Sequence, residues 1–536
     1  MDEFTMNRRQ FVWIAGMGPG LAHASQEGKG LPPPAEPKER QPESPVVRAP
    51  LSPLRIGTSA QLFVERSIVR ETDRVWFTLH PGEKHPRNPV IRADRDWEGW
   101  RVRNKGNAIF DEDEKIFKMW YGADVARNYF EPVHNYSLCA VSKDGVEWEK
   151  PLVGTIHSPI LGFRHNVVIQ GEHACVTKDY DEPDGARRYK AVFSITPGQA
   201  EPRHPKHAFV SSDGLHWSRF SSKPLVDGVG DVTIAYYDEH GRLWVMFIKK
   251  EIVLRGQMRR CFWLMTSRDF VHWREPQLVF VPDYDDDVGS MRRIEEVRPL
   301  LNVPDNPALV RTEFYGVGAY AAESCTVAFP WIFTVNNRGR YGSVDGPIEI
   351  QLAASRDLVD WQRHFRLPIV PRGRVGEWDP GLFYTQCKAI RYNDEIWLYY
   401  SASNSAHGDA NHPDNDYQRE RTSSIGLVKW KLDRFVSADA GAEGGVLTTE
   451  PFTHAGSHLE LNARVGPGGG IRAEFLDAAG RPIQERGRSA PCTGDRLRSR
   501  VAWTGNEQIT QRLKGKPVRL SFELRSTEVY SLAFRS

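Results

Sequence analysis

A short motif that ends in tryptophan returns along the chain and constrains its fold more than any other feature. A turn that carries Asp follows a strand of alternating apolar and aromatic residues, and the tryptophan closes the turn. The copies are Ser142–Trp148, Ser211–Trp217, Ser267–Trp273, Ser355–Trp361 and a degenerate fifth copy, Ile425–Trp430. One aromatic strand and one such turn per repeat predict the blades of a five-bladed β-propeller.

The residues of the motif have structural roles in this interpretation. Strands such as Phe117–Tyr121 and Ile396–Tyr400 are rich in residues that suit a pleated surface buried between blades. The tryptophan is expected to pack between neighbouring blades rather than take part in chemistry. The Asp is expected to cap its turn through the side chain.

The N-terminal segment resembles an export signal. Asn7–Phe11 contains a twin-arginine pair, an apolar stretch runs to Leu21, and Ala22-His-Ala24 looks like a cleavage site. Residues 1–24 are therefore predicted to be a signal peptide of the twin-arginine type, which places the protein in the periplasm or outside the cell. The alternative is a cytosolic tail with a chance pair of arginines.

Composition divides the rest of the chain into three predicted segments. Residues 25–53 are rich in Pro and charged side chains and are expected to form a disordered linker. Residues 54–436 carry the blades, and the segment near His80–Asn88 is expected to pair with the last blade and close the ring. Residues 437–536 alternate apolar and polar residues between Gly, Pro and Asp turns, which predicts a small C-terminal β-sandwich. The expected fold class is all-β.

The overall composition excludes several functions. A net charge of +2 without a basic patch argues against nucleic acid as a partner, and the chain has no apolar run long enough to span a membrane. The six cysteines lack metal-ligand spacing, and Cys139 and Cys261 occupy equivalent places in two repeats, which indicates strand packing. The sequence requires no cofactor, although it allows a structural Ca²⁺ in the channel. It leaves the oligomeric state open.

One polar residue stands at the start of each predicted inner strand. The alignment of the repeats takes Asn107, Asn166, Asp231, Glu313 and Asp379 as these residues, in blade order. Inner strands line the central channel of a propeller, so equivalent starts form a ring at one mouth. The sequence therefore predicts three carboxylates and two amides around one pit.

The three carboxylates suggest a chemistry. Glycoside hydrolysis needs two carboxyl groups that flank an oxocarbenium-like transition state, one protonated and one ionised. Crowded carboxylates repel each other, which raises one pKa and makes that group the acid. Asp231, Glu313 and Asp379 are thus the candidate catalytic residues. The alternative for each is a structural carboxylate that ties blades together.

Polar and aromatic neighbours are candidates for binding a sugar. Asn107, His165 and Asn166 would supply hydrogen bonds, and three tryptophans would stack on a sugar face, while His407 follows blade five and would line the pocket. The tryptophans are Trp97, Trp100 and Trp378. Carbohydrate is therefore the expected partner.

Several stretches resemble a known group of enzymes. The blade pattern and Trp378–Gly381 look like the five-bladed propeller glycoside hydrolases, the clan of β-fructosidases, levansucrases, arabinanases and β-xylosidases. More closely, other stretches resemble a bacterial, largely planctomycete-type group of family-32-like glycosidases; these are Leu62–Val64, Thr78–Val90, Lys118–Tyr121 and Ser142–Pro151. The resemblance covers residues 54–536 and implies the fold more strongly than the activity.

The resemblance implies roles for the candidate residues and also a departure from the clan. The clan uses an Asp at the start of blade one as nucleophile or base, and an Asp and a Glu from later blades. This chain has Asn107 at that first position, and Asn cannot take either role. The implied arrangement has Glu313 as general acid, Asp231 or Asp379 as base or nucleophile, and the remaining carboxylate as the group that tunes a pKa.

Three functions compete with an exported hydrolase of plant or algal glycans. A non-catalytic sugar-binding propeller would agree with Asn107. A related glycoside phosphorylase would need a basic phosphate pocket, for which Arg101, Arg103 and Arg164 are candidates. A protein-interaction scaffold fits the fold but leaves three carboxylates at equivalent positions unexplained.

Overall fold

The computed structural model describes residues 52–124, 129–130, 135–194, 205–301, 303–339, 343–410, 422–483 and 488–536. The predicted signal peptide and almost all of the predicted linker lie outside these residues. Most of the described chain is β-strand, as the aromatic and β-branched repeats predict. Residues 52–536 form one compact unit.

The five predicted blades are present as five separate antiparallel sheets. Blade one has the strands Val102–Asp111, Ile116–Asp124, Asn135–Ser142 and Val167–Ile169, and blade two has Glu172–Lys178, Tyr189–Ser194, His207–Ser211 and Ser218–Arg219. Blade three has Thr233–Asp238, Leu243–Leu254, Gln257–Ser267 and Gln277–Phe280. Blade four has Arg311–Ala321, Thr326–Val335, Ile348–Ile350 and Ala353–Ser355, and blade five has Leu382–Thr385, Ile390–Tyr392, Glu395–Ser403, Ser423–Lys431 and Glu83–Lys84.

The N-terminal part of the described chain closes the ring. Glu83–Lys84 pairs antiparallel with Ser423–Lys431 as the outermost strand of blade five. This is the closure that the sequence predicts, and it covers an edge that would otherwise present unpaired backbone groups. The Lys84 ammonium also reaches Asp379 at 2.7 Å, so an ion pair joins the closing strand to the start of blade five.

The Asp turns have the predicted geometry. In the first copy the Asp144 carboxylate accepts from the backbone amides of Val146 and Glu147, each at 2.8 Å, and the Trp148 indole donates to the carbonyl of Gly145. The same bonds recur in the next three copies. The side chain therefore supplies acceptors that the tight turn lacks.

Each turn packs against the preceding blade. Trp148 of blade one meets Tyr399 of blade five edge to face at 5.6 Å, and Trp361 of blade four packs on Phe280 of blade three at 4.7 Å. In blade two the backbone of the turn does the same, since the Trp120 indole of blade one donates to the Gly214 carbonyl. The motif is thus the joint between neighbouring blades.

The two ends of the described chain fold together in a ten-stranded sheet. His458–Asp477 and Val518–Arg535 form its longest antiparallel pair, and Trp76–Leu79 pairs with Val436–Ala440. Its strands are Leu54–Gly57, Gln61–Leu62, Val69–Asp73, Trp76–Leu79, Val436–Ala440, Gly445–Thr449, Phe452–His454, His458–Asp477, Asp495–Arg500 and Val518–Arg535. The N-terminal strands therefore belong to the same sheet as the predicted C-terminal module.

The predicted alignment of blade two is wrong. Val167–Ile169, which follows Asn166, is the outermost strand of blade one and pairs with Asn135–Ser142. The inner strand of blade two is Glu172–Lys178. A short apolar run between polar residues has the same pattern on an inner and on an outer strand, so the sequence could not separate the two.

Helices are few and short in the described chain. The α-helices are Tyr284–Val288, Ser290–Glu296, His407–Ala410 and Ile509–Leu513, and the 3₁₀ turns are Asp96–Glu98, Gly185–Arg187 and Arg298–Leu300; a two-stranded ribbon is formed by Asn337–Arg338 and Val344–Asp345. None of the described helices has the length and apolar character that a membrane crossing requires. All six cysteines are buried and reduced, and the sulfurs of Cys175 and Cys387 approach to 2.9 Å near the channel.

Removal of the Lys84 ammonium is expected to destabilise the ring. Asp379 is 1% exposed, so Lys84→Met would leave a buried carboxylate without its cation and lower the free energy of unfolding by about 3 kcal/mol. Chemical denaturation measures this loss. The matched control is Lys115→Met, which breaks an exposed pair with Glu112 and is expected to cost less than about 1 kcal/mol. Equal losses in both variants would contradict the closure role.

Candidate functional site

Asp231 and Glu313 lie at the same mouth of the channel, as predicted. Asp231 lies two residues before the inner strand of blade three, and Glu313 is the third residue of the inner strand of blade four. The Asp231 side chain is 32% exposed, whereas that of Glu313 is 1% exposed. Asp231 is therefore the carboxylate that a ligand at this mouth reaches first.

Both carboxylates are held by cations from the second and third strands of blade three. Lys249 forms an ion pair with Asp231, and Arg260 forms one with Glu313. The second oxygen of Glu313 accepts from Arg311 at 2.6 Å. The charges of Asp231, Arg260 and Glu313 all act on the Lys249 ammonium, so these four side chains form one electrostatic cluster. Burial outweighs the carboxylates and lowers the pKa of Lys249.

The strand register explains why Lys249 meets Asp231. Thr233 pairs with Ile248, and the Gly230 amide donates to the Lys249 carbonyl at 2.7 Å. The antiparallel pairing thus places Lys249 opposite the residues that precede the inner strand. Lys206 from blade two adds a second support, because its ammonium donates to the Asp231 carbonyl at 2.9 Å.

Two β-bulges bring further side chains to the mouth. The register of blade four shifts between Phe314 and Gly316, and Tyr315 is the extra residue. The register of blade one shifts between Arg103 and Asn107, a stretch that contains Lys105. Lys105 lies 4.4 Å from the ring centroid of Tyr384 in blade five and 5.7 Å from that of Tyr315. Bulges redirect side chains in this way beside many functional sites.

Tyr315 and Tyr384 form the aromatic floor of this mouth. The Lys249 ammonium lies 4.0 Å and the Arg260 guanidinium 5.6 Å from the Tyr315 ring centroid, and the two tyrosine rings are 5.8 Å apart. The ring faces are electron-rich and stabilise the cations that burial would otherwise disfavour. Blades one, three, four and five therefore converge on two phenol rings.

Blade one contributes two arginines to this mouth. Arg101 and Arg103 both form ion pairs with Asp124, which ends the neighbouring strand. Trp100 lies beside them, with its ring 4.5 Å from the Arg101 guanidinium, and is half-buried. The start of blade one at this mouth is thus cationic. Arg164, the third arginine considered from the sequence, is exposed and precedes the outermost strand of that blade.

His407 adjoins the same cluster. Its ring meets Tyr315 edge to face at 4.9 Å, and its Nδ1 lies 2.9 Å from the Val344 carbonyl. Burial, together with the charges of Arg260, Lys105 and Lys249, lowers the pKa of His407 to about 3. His407 is therefore a neutral group beside the mouth.

Asp379 has a different environment. One of its oxygens accepts from Lys84 at 2.7 Å and from the Tyr400 hydroxyl at 2.9 Å, and Trp378 stacks on Tyr400 at 5.6 Å. These contacts lie on the closing sheet of blade five. Asp379 therefore binds the closing strand and its own blade.

The remaining predicted residues form hydrogen bonds that stabilise the structure of blades one and two. His165 is fully buried and bonds the Ile156 carbonyl at 2.8 Å, while Asn166 bonds Trp97, Tyr121 and the Cys139 carbonyl. Asn107 lies in the middle of its inner strand and donates to the Val176 carbonyl at 2.8 Å. Their hydrogen-bonding groups are thus already used within the fold.

A cavity of about 900 Å³ lies at the opposite mouth. It is lined by the C-terminal ends of the inner strands and by Asn107, and none of the three predicted catalytic carboxylates borders it. Its charged side chains form ion pairs, such as Lys388 with Glu239 and Lys178 with Asp111. The cavity and the carboxylate cluster are therefore separate features.

Sequence reasoning missed the residues that surround Asp231 and Glu313. These are Lys105, Lys249, Arg260, Tyr315 and Tyr384. One signal was readable: Arg101, Arg103 and Lys105 alternate along a strand, which places three charges on one face. A second signal was Lys249, a charged residue that directly follows the apolar run Leu243–Ile248 in blade three. Within the described residues, no group of three or more His, Cys, Asp or Glu side chains is arranged to hold a metal ion.

No family model matches this chain, and a search of curated proteins gave no match. Solved structures do resemble it. An N-acetylgalactosamine deacetylase from F. plautii, in complex with blood group B trisaccharide, has 15% identity over 71% of this chain and 96% of that chain, with a TM-score of 0.38. A β-1,2-mannobiose phosphorylase from Listeria innocua has 12% identity over 66% of this chain and 97% of that chain, with a TM-score of 0.41. A Bombyx mori GH32 β-fructofuranosidase has 11% identity over 84% of this chain and 95% of that chain, with a TM-score of 0.36. Such distant likeness concerns the fold alone and carries no argument about activity.

The lowered pKa of His407 predicts an acid-sensitive contribution to stability. Between pH 6.5 and pH 3 the unfolded chain binds a proton at this residue that the native protein does not bind. Stability from His407 is therefore complete above pH 6.5 and is lost as the pH falls towards 3. His407→Asn, which keeps a donor for the Val344 carbonyl, is expected to reduce that acid loss by about 2 kcal/mol.

Denaturation midpoints across this pH range measure the effect. The control is His157→Asn, because the His157 side chain is exposed and its replacement should leave the pH profile unchanged. An unchanged profile in His407→Asn would show that this imidazole is not held neutral by the fold.

Proposed function

We propose that this protein is a glycoside hydrolase whose reaction site is the mouth that contains Asp231 and Glu313. One observation carries the proposal: two carboxylates from consecutive inner strands share one electrostatic cluster, and only Asp231 is appreciably exposed. Two carboxyl groups in unlike environments are what glycoside hydrolysis requires. The resemblance of the sequence motifs to propeller glycosidases supports the same chemistry.

Asp231 is the proposed base or nucleophile. Lys249 pairs with its carboxylate, and Lys206 holds its backbone carbonyl, so the side chain has a fixed position. A positioned and ionised carboxylate can activate water or attack the anomeric carbon. Its exposure leaves room for a sugar.

Glu313 is the proposed general acid, and this role requires a rearrangement. Each of its oxygens is engaged by a guanidinium, one by Arg260 and one by Arg311. The Arg260 side chain is 21% exposed and lies at the rim of the cluster, so it is the partner that can move when substrate binds. Its departure would free one Glu313 oxygen to take up a proton from solvent and then donate it to the leaving group.

Asp379 is not part of the proposed reaction. Its ion pair with Lys84 and its bond from Tyr400 give it a role in ring closure. His407 and Trp100 are the sequence candidates that remain near the mouth, where they would line the pocket. The proposed substrate is a plant or algal glycan, and the proposed location is the periplasm or the medium; the twin-arginine motif at Asn7–Phe11 supports export.

A non-catalytic sugar-binding propeller is the second candidate. The double arginine clamp on Glu313 favours it, since a clamped carboxylate cannot protonate a leaving group. Such a protein would bind glycans without cleaving them.

Replacement of the two carboxylates separates these functions. The purified full-length protein is assayed for turnover on aryl glycosides and on neutral and charged plant and algal polysaccharides. Glu313→Gln and Asp231→Asn are each expected to lower kcat by about 10²-fold or more, because each removes an acid–base or nucleophilic group. The control is Asp227→Asn, an exposed residue of the preceding loop, and it should retain full activity.

The alternatives give different results. Cleavage that survives Glu313→Gln would keep the enzyme and remove Glu313 as its acid. Glycan binding by every variant, with cleavage by none including the parent, would support the sugar-binding propeller.

A further inference from the structure

Cationic side chains are concentrated at the mouth that contains Asp231 and Glu313. Among the described residues, its carboxylates are Asp124, Asp231 and Glu313, with Glu251 at 4.0 Å from Arg260 and Asp345 behind His407. Within the described part of the chain, the cations outnumber these acids; they are Arg101, Arg103, Lys105, Lys206, Lys249, Arg260 and Arg311.

These cations are buried, which makes their concentration energetically costly. Arg103 is 6%, Lys105 3% and Lys249 4% exposed. Moving charge from water into the protein costs several kcal/mol per ion unless opposite charge compensates it. Burial accordingly lowers the pKa of Lys249 and of Arg101. A fold that concentrates cations in this way gains free energy when an anion enters.

The Tyr384 hydroxyl is a hydrogen-bond donor that lies beside these cations. It is buried and makes no hydrogen bond with a described residue. The Arg103, Arg101, Asp231 and Arg260 charges all act on this hydroxyl, and Lys105 lies over its ring. Buried hydroxyls are nearly always hydrogen-bonded, so this one points to a missing acceptor.

We propose that Arg103, Lys105, Arg260 and the Tyr384 hydroxyl form an oxyanion subsite, and that the substrate is a glycan that carries a sulfate or carboxylate group. This rests on the proposed function and names its substrate class. Guanidinium forks and ammonium groups recognise such oxygens strongly where water is excluded. The same chemistry would accept free inorganic phosphate, which is the other source of the anion.

The subsite also suggests a role for the ion pairs that hold Glu313. Arg260 is shared between Glu313 and the proposed anion position, next to Tyr315. An anion that draws Arg260 away would release one oxygen of Glu313. Binding of a substrate with the anionic group would then let the freed oxygen take up a proton from solvent, whereas neutral sugars would leave Glu313 paired with both arginines.

Ligand binding to the full-length protein tests the subsite without requiring turnover. Calorimetric titrations with sodium sulfate, sodium phosphate, glucose 6-sulfate, glucuronate and glucose are made at fixed ionic strength set by chloride. Sulfate and the two charged sugars are expected to bind, and glucose is expected to bind at least about tenfold more weakly than its charged forms.

Three variants identify the residues. Lys105→Met keeps the aliphatic stem, and Tyr384→Phe keeps the ring; each is expected to weaken anion binding about tenfold, because each removes a donor to a charged group. Tyr384→Phe should leave the melting temperature unchanged, since its hydroxyl bonds no described residue. Lys429→Met is the matched control: Lys429 lies 3.6 Å over Trp397 in blade five, outside the cluster, and should bind anions as the parent does.

The outcomes separate the sources of the anion. Charged sugars that bind more tightly than sulfate or phosphate alone would establish an anionic glycan as the ligand. Phosphate that binds as tightly as the charged sugars, with turnover that depends on it, would keep the subsite and make its occupant free phosphate. Anion binding that is absent, or unchanged in both Lys105→Met and Tyr384→Phe, would overturn the proposal.

The subsite and the hydrolase can fail independently. Anion binding that depends on Lys105, with no cleavage of any glycan, would retain the subsite and reject the hydrolase. Cleavage of charged glycans by Lys105→Met at the parent rate, with anion binding unchanged, would retain the hydrolase and reject the subsite.

Discussion

The joint between neighbouring blades is the interaction on which the rest of the structure depends. The Asp turn of one blade packs on the preceding blade through Trp148 on Tyr399, Trp361 on Phe280 and the equivalent contacts. A propeller has few hydrogen bonds between its sheets, so side-chain packing must hold them around the channel. The Asp carboxylate fixes the turn, and the turn fixes the aromatic ring that reaches the next sheet. This geometry repeats until Glu83–Lys84 completes the circle.

Closure of the ring concentrates charge that the separate blades would leave in water. Lys105 from blade one, Lys249 from blade three and Tyr315 from blade four meet only because four inner edges converge. The tyrosine rings stabilise the cations there, and among the described residues the cations outnumber the carboxylates. The same convergence brings Asp231 and Glu313 into one cluster and places Arg260 between Glu313 and the solvent. Catalytic groups and anion-binding groups would thus be parts of one electrostatic arrangement.

The sequence predicted the architecture and two residues of the cluster. Asp231 and Glu313 were found because their inner strands have clear polar starts. Blade two was misaligned, so His165 and Asn166 were placed on the mouth although they support the outermost strand of blade one. Asn107 and Asp379 have their described contacts elsewhere, Asn107 with the Val176 carbonyl and Asp379 with Lys84. Their positions along the strands were read approximately, but the direction of each side chain depends on bulges and on ring closure.

By itself the sequence determined the repeat, its turn chemistry and the closing strand, because these follow from local patterns of period two and from side chains that cap their own backbone. Only the tertiary structure decided which charges meet. Lys105, Arg260 and Tyr384 are far apart along the chain and come together through the register of separate sheets and two bulges. Electrostatic energy depends on distance and burial in three dimensions, and neither quantity is encoded in the spacing of residues along a strand.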